Sequence, residues 1–429
     1  METKNKTATL PFSGYEIFVI VVLAATLFTV VLDFMIMSPL GDMLMKSLNI
    51  TPSQFGFAVS AYAFSAGISG LLTAGFADKF DRKKLLLFFY CGFIGGTIFC
   101  GLAQSYVALI TARIITGLFG GVIGSISMAI VTDLFALQQR GRVMGFLQMG
   151  FGASQVLGIP IGLALANVWG WEAPFLMVAA LAIIVAGLIF VKLKPVNKHL
   201  ALQQDKSPLT HLWHTVSKKD YRIGFTATAL LSIGGFMMMP FGTAFAINNL
   251  HITPAELPVL FMISGISSLI IMPLVGKLSD KIDKFSLFAI ASVWMMIMVV
   301  VYTNLGTTPF WLVIIFNILM MMGIMSRMVP SSALTSAIPV MQDRGAFMSI
   351  NSSLQQIAGG IAAAVAGMIV VQKNKFSPLE HYNRVGYVVV IMSILSTFLL
   401  YRVSELIKRR TIQKPAVPSE EVPIVVNEV

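Results

Sequence analysis

The chain is 429 residues long, 56% apolar, and carries charge on only 11% of its residues. Soluble domains hold about 25% charged residues, so a water-facing globule is excluded and most of this surface must meet lipid. The net charge of +11 does not indicate nucleic acid, because the basic residues sort into alternate loops instead of forming one patch.

Apolar runs of roughly 20 residues recur along almost the whole length, each long enough to cross a bilayer as a helix. Twelve are read, at approximately 16–44, 52–75, 85–104, 106–132, 143–167, 173–193, 223–248, 254–275, 285–304, 310–332, 346–371 and 385–405. With the N-terminus cytoplasmic, the even-numbered loops and both tails hold 24 of the 30 Lys and Arg. The outer loops hold only Lys46, Lys373, Lys375 and Arg384. That bias follows the positive-inside rule. The expected location is a bacterial inner (plasma) membrane, crossed many times, with both termini cytoplasmic.

In chain order, Met1–Gly14 is polar and the first apolar run has no small-residue cleavage site after it. The first span is therefore expected to be retained, not removed as a signal peptide. Thr51-Pro52-Ser53-Gln54 and Thr253-Pro254-Ala255-Glu256 have the form of capping boxes with Pro at the first helical position, marking the outer starts of spans two and eight. Cys91 and Cys100 lie nine apart on one helix, which at about 100° per residue sets them on opposite faces, so no disulfide is expected. Spans four and five are rich in small residues: Gly117, Gly120, Gly121 and Gly124 in one, Gly145, Gly150, Gly152, Gly158 and Gly162 in the other. Such residues let backbones approach closely in lipid. Packing is the first reading of these glycines and bending the second. Pro160 within span five is tolerated because neighbouring helices can satisfy the freed carbonyl. Trp169 and Trp171 fall in a short outer loop, where an aromatic belt is expected. Residues 194–222 read as a cytoplasmic linker with His199, His211 and His214, in which Ser207-Pro208 can open a short interfacial helix. No acid or thiol is spaced to complete a metal site there, so neither metal nor cofactor is expected. Residues 411–429 carry Pro and Glu without periodicity and read as a disordered tail.

The chain is duplicated. The stretch from Ala74 to Lys84, charged around Asp78, Asp81 and Arg82, returns from Gly276 to Lys284, with the aspartates 202 positions apart. The two Thr-Pro boxes share the offset of 202, and Arg140-Gly141 returns as Arg344-Gly345 at 204. A spacing held over some ninety residues marks two related halves. The expected fold class is an all-α membrane protein of twelve transmembrane helices in two pseudo-symmetric six-helix bundles. Residues 1–14 form a cytoplasmic tail, 15–193 one bundle, 194–222 the linker, 223–405 the second bundle and 406–429 a cytoplasmic tail.

Ionisable residues inside spans cost roughly 3 kcal/mol on insertion scales, and each is a functional candidate. Away from the span ends there are three: Asp33, Arg113 and Arg327. Asp33 on span one and Arg113 on span four lie at depths that permit them to meet, and pairing would lower the desolvation cost of each. The duplication sets Gly235 opposite Asp33 and Asn317 opposite Arg113. Confinement to one half favours a titrating site in the N-terminal half over a static ion pair. Proton coupling is the leading role for Asp33, ahead of substrate contact, with Arg113 as its tuner because guanidinium does not deprotonate. For Arg327 two readings stand level: facing the cavity to favour anionic substrates, or pairing with a carbonyl or loop acid.

Over nearly its full length the chain resembles the major facilitator superfamily. Ala74 to Lys84 looks like that family's loop Gly-x-x-x-Asp-Arg-x-Gly-Arg-Lys, with Ala74 and Asp81 standing where the family has glycine. In the second copy Gly276 restores the first glycine and Asp283 again replaces the second. Leu109, Arg113 and Gly117 match the span-four pattern Leu-x-x-x-Arg-x-x-x-Gly, whose arginine is linked to proton movement in the family. Gly158-Ile159-Pro160-Ile161-Gly162 is similar to the span-five motif of exporters, with the usual Gly-Pro pair split by Ile159. The resemblance implies a central cavity near the midplane and alternating access by rocking of the bundles. It also implies a charge latch of Asp78, Arg82 and Asp133, with Asp280 and Lys284 in the second copy.

Polar cavity candidates are Gln148 and Gln155 on span five, Asn317 and Arg327 on span ten, and Asn351, Gln355 and Gln356 on span eleven. Methionines from Met237 to Met239, with Met295, Met296, Met298, Met320 to Met322, Met325 and Met328, are either packing or an adaptable apolar lining. The leading expectation is a proton-coupled antiporter that exports small amphipathic or drug-like molecules. The alternative is a proton-coupled porter of a sugar or organic anion. The expected partners are a small-molecule substrate, protons and the lipid bilayer, with the chain acting as a monomer. An enzyme is not expected: hydrolysis or acyl transfer needs a His, metal ligands or an acid pair, and the spans hold none.

Overall fold

The computed structural model of the chain describes residues 11–73, 77–197, 200, 214–340 and 343–412, without the side chains of 78, 137 and 410–412. Among the described residues twelve helices are long and apolar enough to cross a membrane. His199, His211, Ser207, Pro208 and the tail from 413 lie outside the described residues. Spans are numbered in chain order. The near face is the one at which span one begins and span twelve ends.

Prolines break three of the spans. Span one, read from the sequence as a single run over 16–44, is a helix Gly14–Ile36, a tight turn, and a second helix Gly41–Leu48. Pro39 in that turn has no N–H for the ladder. Span seven repeats the pattern in the second half: Lys219–Phe236, a single turn Met239–Phe241 containing Pro240, then Gly242–Asn248. Span five (Gln138–Trp169) passes through one wide turn, Ser154–Gly158, just before Pro160. A proline ring crowds the carbonyl four residues back, and widening the turn relieves that clash.

Caps set several boundaries. Ser13 and Glu16 close a reciprocal capping box at the start of span one. Thr51 and Gln54 do the same for span two, with Thr51 N donating to Gln54 Oε1 (2.9 Å) and Gln54 N to Thr51 Oγ1 (3.3 Å). The second Thr-Pro box differs. Thr253 N donates to Glu256 Oε2 (2.8 Å), but residues 254–256 form turns and span eight begins only at Leu257, with Pro258 in its first turn. Asp81 and Asp283, the two departures from the family loop, are N-caps. Asp81 Oδ1 accepts from the backbone of Lys83 (2.8 Å) and Lys84 (3.1 Å), and Asp283 Oδ2 from that of Ser286 (3.0 Å). The Ser286 amide, helped by Lys408, holds the Asp283 carboxyl below the usual carboxylate range.

Three of the span-four and span-five glycines, Gly117, Gly121 and Gly150, sit where another backbone passes, and Gly120, Gly152, Gly158 and Gly162 meet side chains of neighbouring helices. A Cβ on Gly121 would lie 2.6 Å from Ala66 Cα of span two, and one on Gly150 would lie 2.5 Å from the Ala24 carbonyl of span one. Gly124 and Gly145 face open space.

Span two (Pro52–Thr73) and span eleven (Arg344–Ile369) join the two halves along their length. Ser60 donates to the Gly360 carbonyl (2.7 Å), and a Cβ on Gly56 would come within 2.6 Å of the Ala363 carbonyl. Spans five and eight (Leu257–Ser279) make a second seam, where Gly265 lies against the Val156 backbone. The far face adds a polar clasp. Asp42 accepts from Lys46 Nζ (2.7 Å) and Asn248 Nδ2 (2.6 Å), and Asn167 Nδ2 donates to the Pro254 carbonyl (2.9 Å).

A methyl group at the span two–eleven seam would force the halves apart, whereas one on Gly187, which faces nothing within 4 Å, would not. Gly56→Ala is expected to destabilise by about 1–3 kcal/mol, the usual cost of overpacking. Thermal unfolding in detergent should show a lowered midpoint for Gly56→Ala and none for Gly187→Ala.

Candidate functional site

Span one presents a polar stripe to the interior of its bundle. Thr26, Thr29 and Asp33 stand at i, i+3 and i+7, on one face of the helix, and all are buried. Thr29 Oγ1 is 2.8 Å from Tyr90 Oη, and Asp33 Oδ1 accepts from Thr97 Oγ1 (3.1 Å), both partners on span three (Arg82–Gly101). Asp33 Oδ2 pairs with Arg113 Nη1 of span four (Tyr106–Leu134) at 2.9 Å, and both residues are 0% exposed. The carboxylate thus receives one charged and one neutral hydrogen bond while excluded from solvent. Its partner is tied in turn to a ring: Arg113 Cζ lies 4.5 Å from the centroid of Tyr62 on span two.

That ring leads out of the bundle. Tyr62 packs on Phe34 at 5.2 Å between centroids, and Phe34 meets Phe236 of the other half edge-on at 6.1 Å. Phe34 and Phe236 are duplication mates, 202 positions apart. They share the lining of a small pocket of about 10 Å³ between the halves with Ser38, Val59, Met239, Pro240 and Gln356. The ion pair is therefore one aromatic layer behind a mostly apolar inter-bundle pocket. In the second half the matching positions are neutral. Gly235 is exposed with nothing within 4 Å of a Cβ, and Asn317 accepts from Ser264 Oγ (2.9 Å).

Of the seven cavity candidates, Gln356 lines that pocket. Gln155 sits half-buried in the wide turn of span five, its Nε2 3.9 Å from Met35 Sδ. Gln148 and Gln355 are exposed, and Asn351 is buried with its Oδ1 unbonded among the described residues. Arg327 turns away from the pocket, into the space between spans nine, ten and twelve, where it bonds Ser393 and Ser396. Neither sequence reading of Arg327, cavity-facing or paired with a carbonyl or loop acid, describes that setting. Helix rotation decides it, and rotation depends on neighbours absent from the local sequence. Met239 lines the pocket, while Met322 and Met328 are exposed on the surface of span ten.

At the near face Arg82 Nε pairs with Asp133 Oδ2 (3.2 Å), and Arg82 Nη1 donates to the Ala77 carbonyl (3.2 Å). The Asp78 side chain lies outside the described residues. Asp280 and Lys284 are both exposed and make no ion pair with each other among the described residues. A cluster not anticipated from the sequence occupies the near face of the second half instead. Asp343 Oδ2 accepts from Lys218 Nζ (2.5 Å) and Tyr221 Oη (2.7 Å). The duplication did not disclose it, since Asp343-Arg344-Gly345 aligns with Gln139-Arg140-Gly141 and the first half has no acid there.

Twelve candidate spans in two bundles, with a small pocket between them and a buried acid–base pair beside it, are an architecture suited to a membrane carrier. The chain belongs to the Major Facilitator Superfamily, whose model matches residues 22–363 and again 224–426. It is 24% identical over 403 residues to the MFS-type transporter YceJ of Bacillus subtilis, covering 90% of this chain and 96% of that protein. It is 24% identical over 275 residues to Multidrug resistance protein 2 of the same organism, covering 62% of this chain and 68% of that protein. Among solved structures, a D-xylose-proton symporter superposes with a TM-score of 0.75 at 17% identity, over 91% of this chain and 98% of that one.

Removing one partner of a fully buried ion pair leaves an uncompensated charge, at a cost of about 3–5 kcal/mol, whereas apolar replacement of both is often near neutral. Asp33→Ala and Arg113→Met are each expected to lower the unfolding midpoint sharply. The double variant should recover most of the loss, and a double-mutant cycle measured by thermal or denaturant unfolding checks it.

Proposed function

We propose that the chain is a proton-coupled exporter of small amphipathic or drug-like molecules, working by alternating access with the Asp33–Arg113 pair as its proton site. The observation that carries this reading is the unbroken contact path from Asp33 through Arg113, Tyr62 and Phe34 to the pocket. As the halves part at this small pocket, an entering solute pushes on Phe34, and a shift of the Tyr62 ring changes the setting of Arg113. Loosening that ion pair removes what keeps Asp33 ionised in a dry interior, so solute and proton compete for the same arrangement. The lining suits an apolar solute with one or two polar groups, which Ser38 and Gln356 are placed to meet. The likeness to Multidrug resistance protein 2 points the same way.

The basic bias of the near-face loops supports both termini on the cytoplasmic side of a bacterial inner membrane. With both halves contributing to one pocket, a single chain holds all that the cycle needs. Asp78, Arg82 and Asp133 act as the near-face latch, a polar contact that must break when the bundles rock. A second reading, a sugar porter, draws on the same Ser38 and Gln356. An organic-anion porter has less support, since no cationic side chain lines the pocket among the described residues.

Two measurements test this. In proteoliposomes under an imposed pH gradient, Asp33→Asn should abolish accumulation of an amphipathic dye against its own gradient while downhill equilibration persists. Continued uphill movement by Asp33→Asn overturns the coupling role. Asp133→Asn should slow turnover about ten-fold with little change in half-saturating solute. A variant altered in affinity alone contradicts the latch.

A further inference from the structure

The second half encloses a buried charge that the transport cycle above leaves unused. Arg327, on span ten (Phe310–Ser336), is 4% exposed. Its Nη1 donates to Ser393 Oγ (3.3 Å) and lies 2.7 Å from Met295 Sδ, and its Nη2 donates to Ser396 Oγ (3.2 Å). The guanidinium carbon is 5.2 Å from the centroid of the Phe288 ring. Every one of these partners is neutral. Among the described residues Arg327 makes no ion pair and its Nε–H has no acceptor. Ser393, itself 1% exposed, accepts from Arg327 while its own hydroxyl proton has no acceptor among the described residues, and Ser396 spends its proton on the Ser393 carbonyl.

A guanidinium keeps its proton inside a protein, so a full positive charge sits in a low-dielectric interior. Hydroxyl dipoles and a ring face recover only part of the cost of desolvating it. The first half answers the same difficulty with Asp33. Here, among the described residues, no carboxylate pairs with Arg327, while two buried donors, the Nε–H of Arg327 and the O–H of Ser393, lack an acceptor. We infer that Arg327, Ser393 and Ser396 form a binding site for a small monoanion, a halide such as chloride or a small carboxylate, held as counter-ion inside the second half. One guanidinium balances one negative charge, and the burial of Arg327, Ser393 and Ser396 favours a small occupant. The site shares no residue with the inter-bundle pocket, so it is separate from the transport path proposed above.

The test uses the purified full chain in detergent, unfolded by heat in sodium chloride, bromide, acetate or gluconate at equal ionic strength, so that general screening is constant. A ligand that binds only the folded chain raises the midpoint in a saturating way. The midpoint should rise by several degrees over gluconate. A rise confined to chloride and bromide identifies a halide site, and an equal rise in acetate a carboxylate site. Ser393→Ala with Ser396→Ala should raise the half-saturating concentration about ten-fold, and Arg327→Met should remove the response. Because Arg327→Met can fail to fold, Ser393→Asp serves as the second variant: it supplies a tethered carboxylate and should fold with no dependence on the anion. One midpoint in all four salts overturns the inference, as does a full anion response retained in Arg327→Met or Ser393→Asp.

Discussion

A charge placed where water cannot follow must be answered by another group, and in this molecule that requirement organises the first bundle. Asp33 and Arg113 draw spans one and four together, and Thr97 brings span three to the same point. Small residues make that convergence possible, since glycine on span four lets span two come close enough for Tyr62 to lie against the guanidinium. The polar centre and the close packing around it are one arrangement, because lipid gives helices no hydrophobic reason to associate.

The second bundle keeps the scaffold and changes the chemistry. Spans one and seven each break at a proline, Pro39 and Pro240, one position out of the 202 register, and spans three and nine start on matching aspartate caps. At the positions of Asp33 and Arg113, however, it has an open glycine and an asparagine satisfied by a serine. Its own buried cation, Arg327, sits ten residues further along span ten than Asn317 and faces a different pair of helices. The halves are therefore alike as architecture and unlike as electrostatics.

Much of this was legible in the chain itself. Twelve apolar runs and a repeat at 202 positions specify two bundles without reference to any structure, because a bilayer admits few alternatives for such segments. The isolated charges were equally plain, since an acid in an apolar run is costly unless it is paired or used. What escaped notice was uncharged. Thr97, Tyr62 and Phe34 stand in apolar spans as ordinary residues, and only their neighbours across the bundle give them a role. The Thr26–Thr29–Asp33 spacing could have disclosed the inward stripe. The break in span one was hidden because Pro39 interrupts a run that hydropathy alone treats as continuous. Thr253 was misplaced as a helix start because two prolines, Pro254 and Pro258, compete for the first turn, and the later one takes it.

The meeting of Phe34 with Phe236 has a further consequence. Residues copied from one ancestral position touch each other, as equivalent residues do across the axis of a homodimer. The two phenylalanines meet at the pocket from opposite halves, yet only Phe34 is backed by an ionisable pair. A symmetric contact with asymmetric backing makes the two sides of this seam electrostatically unequal.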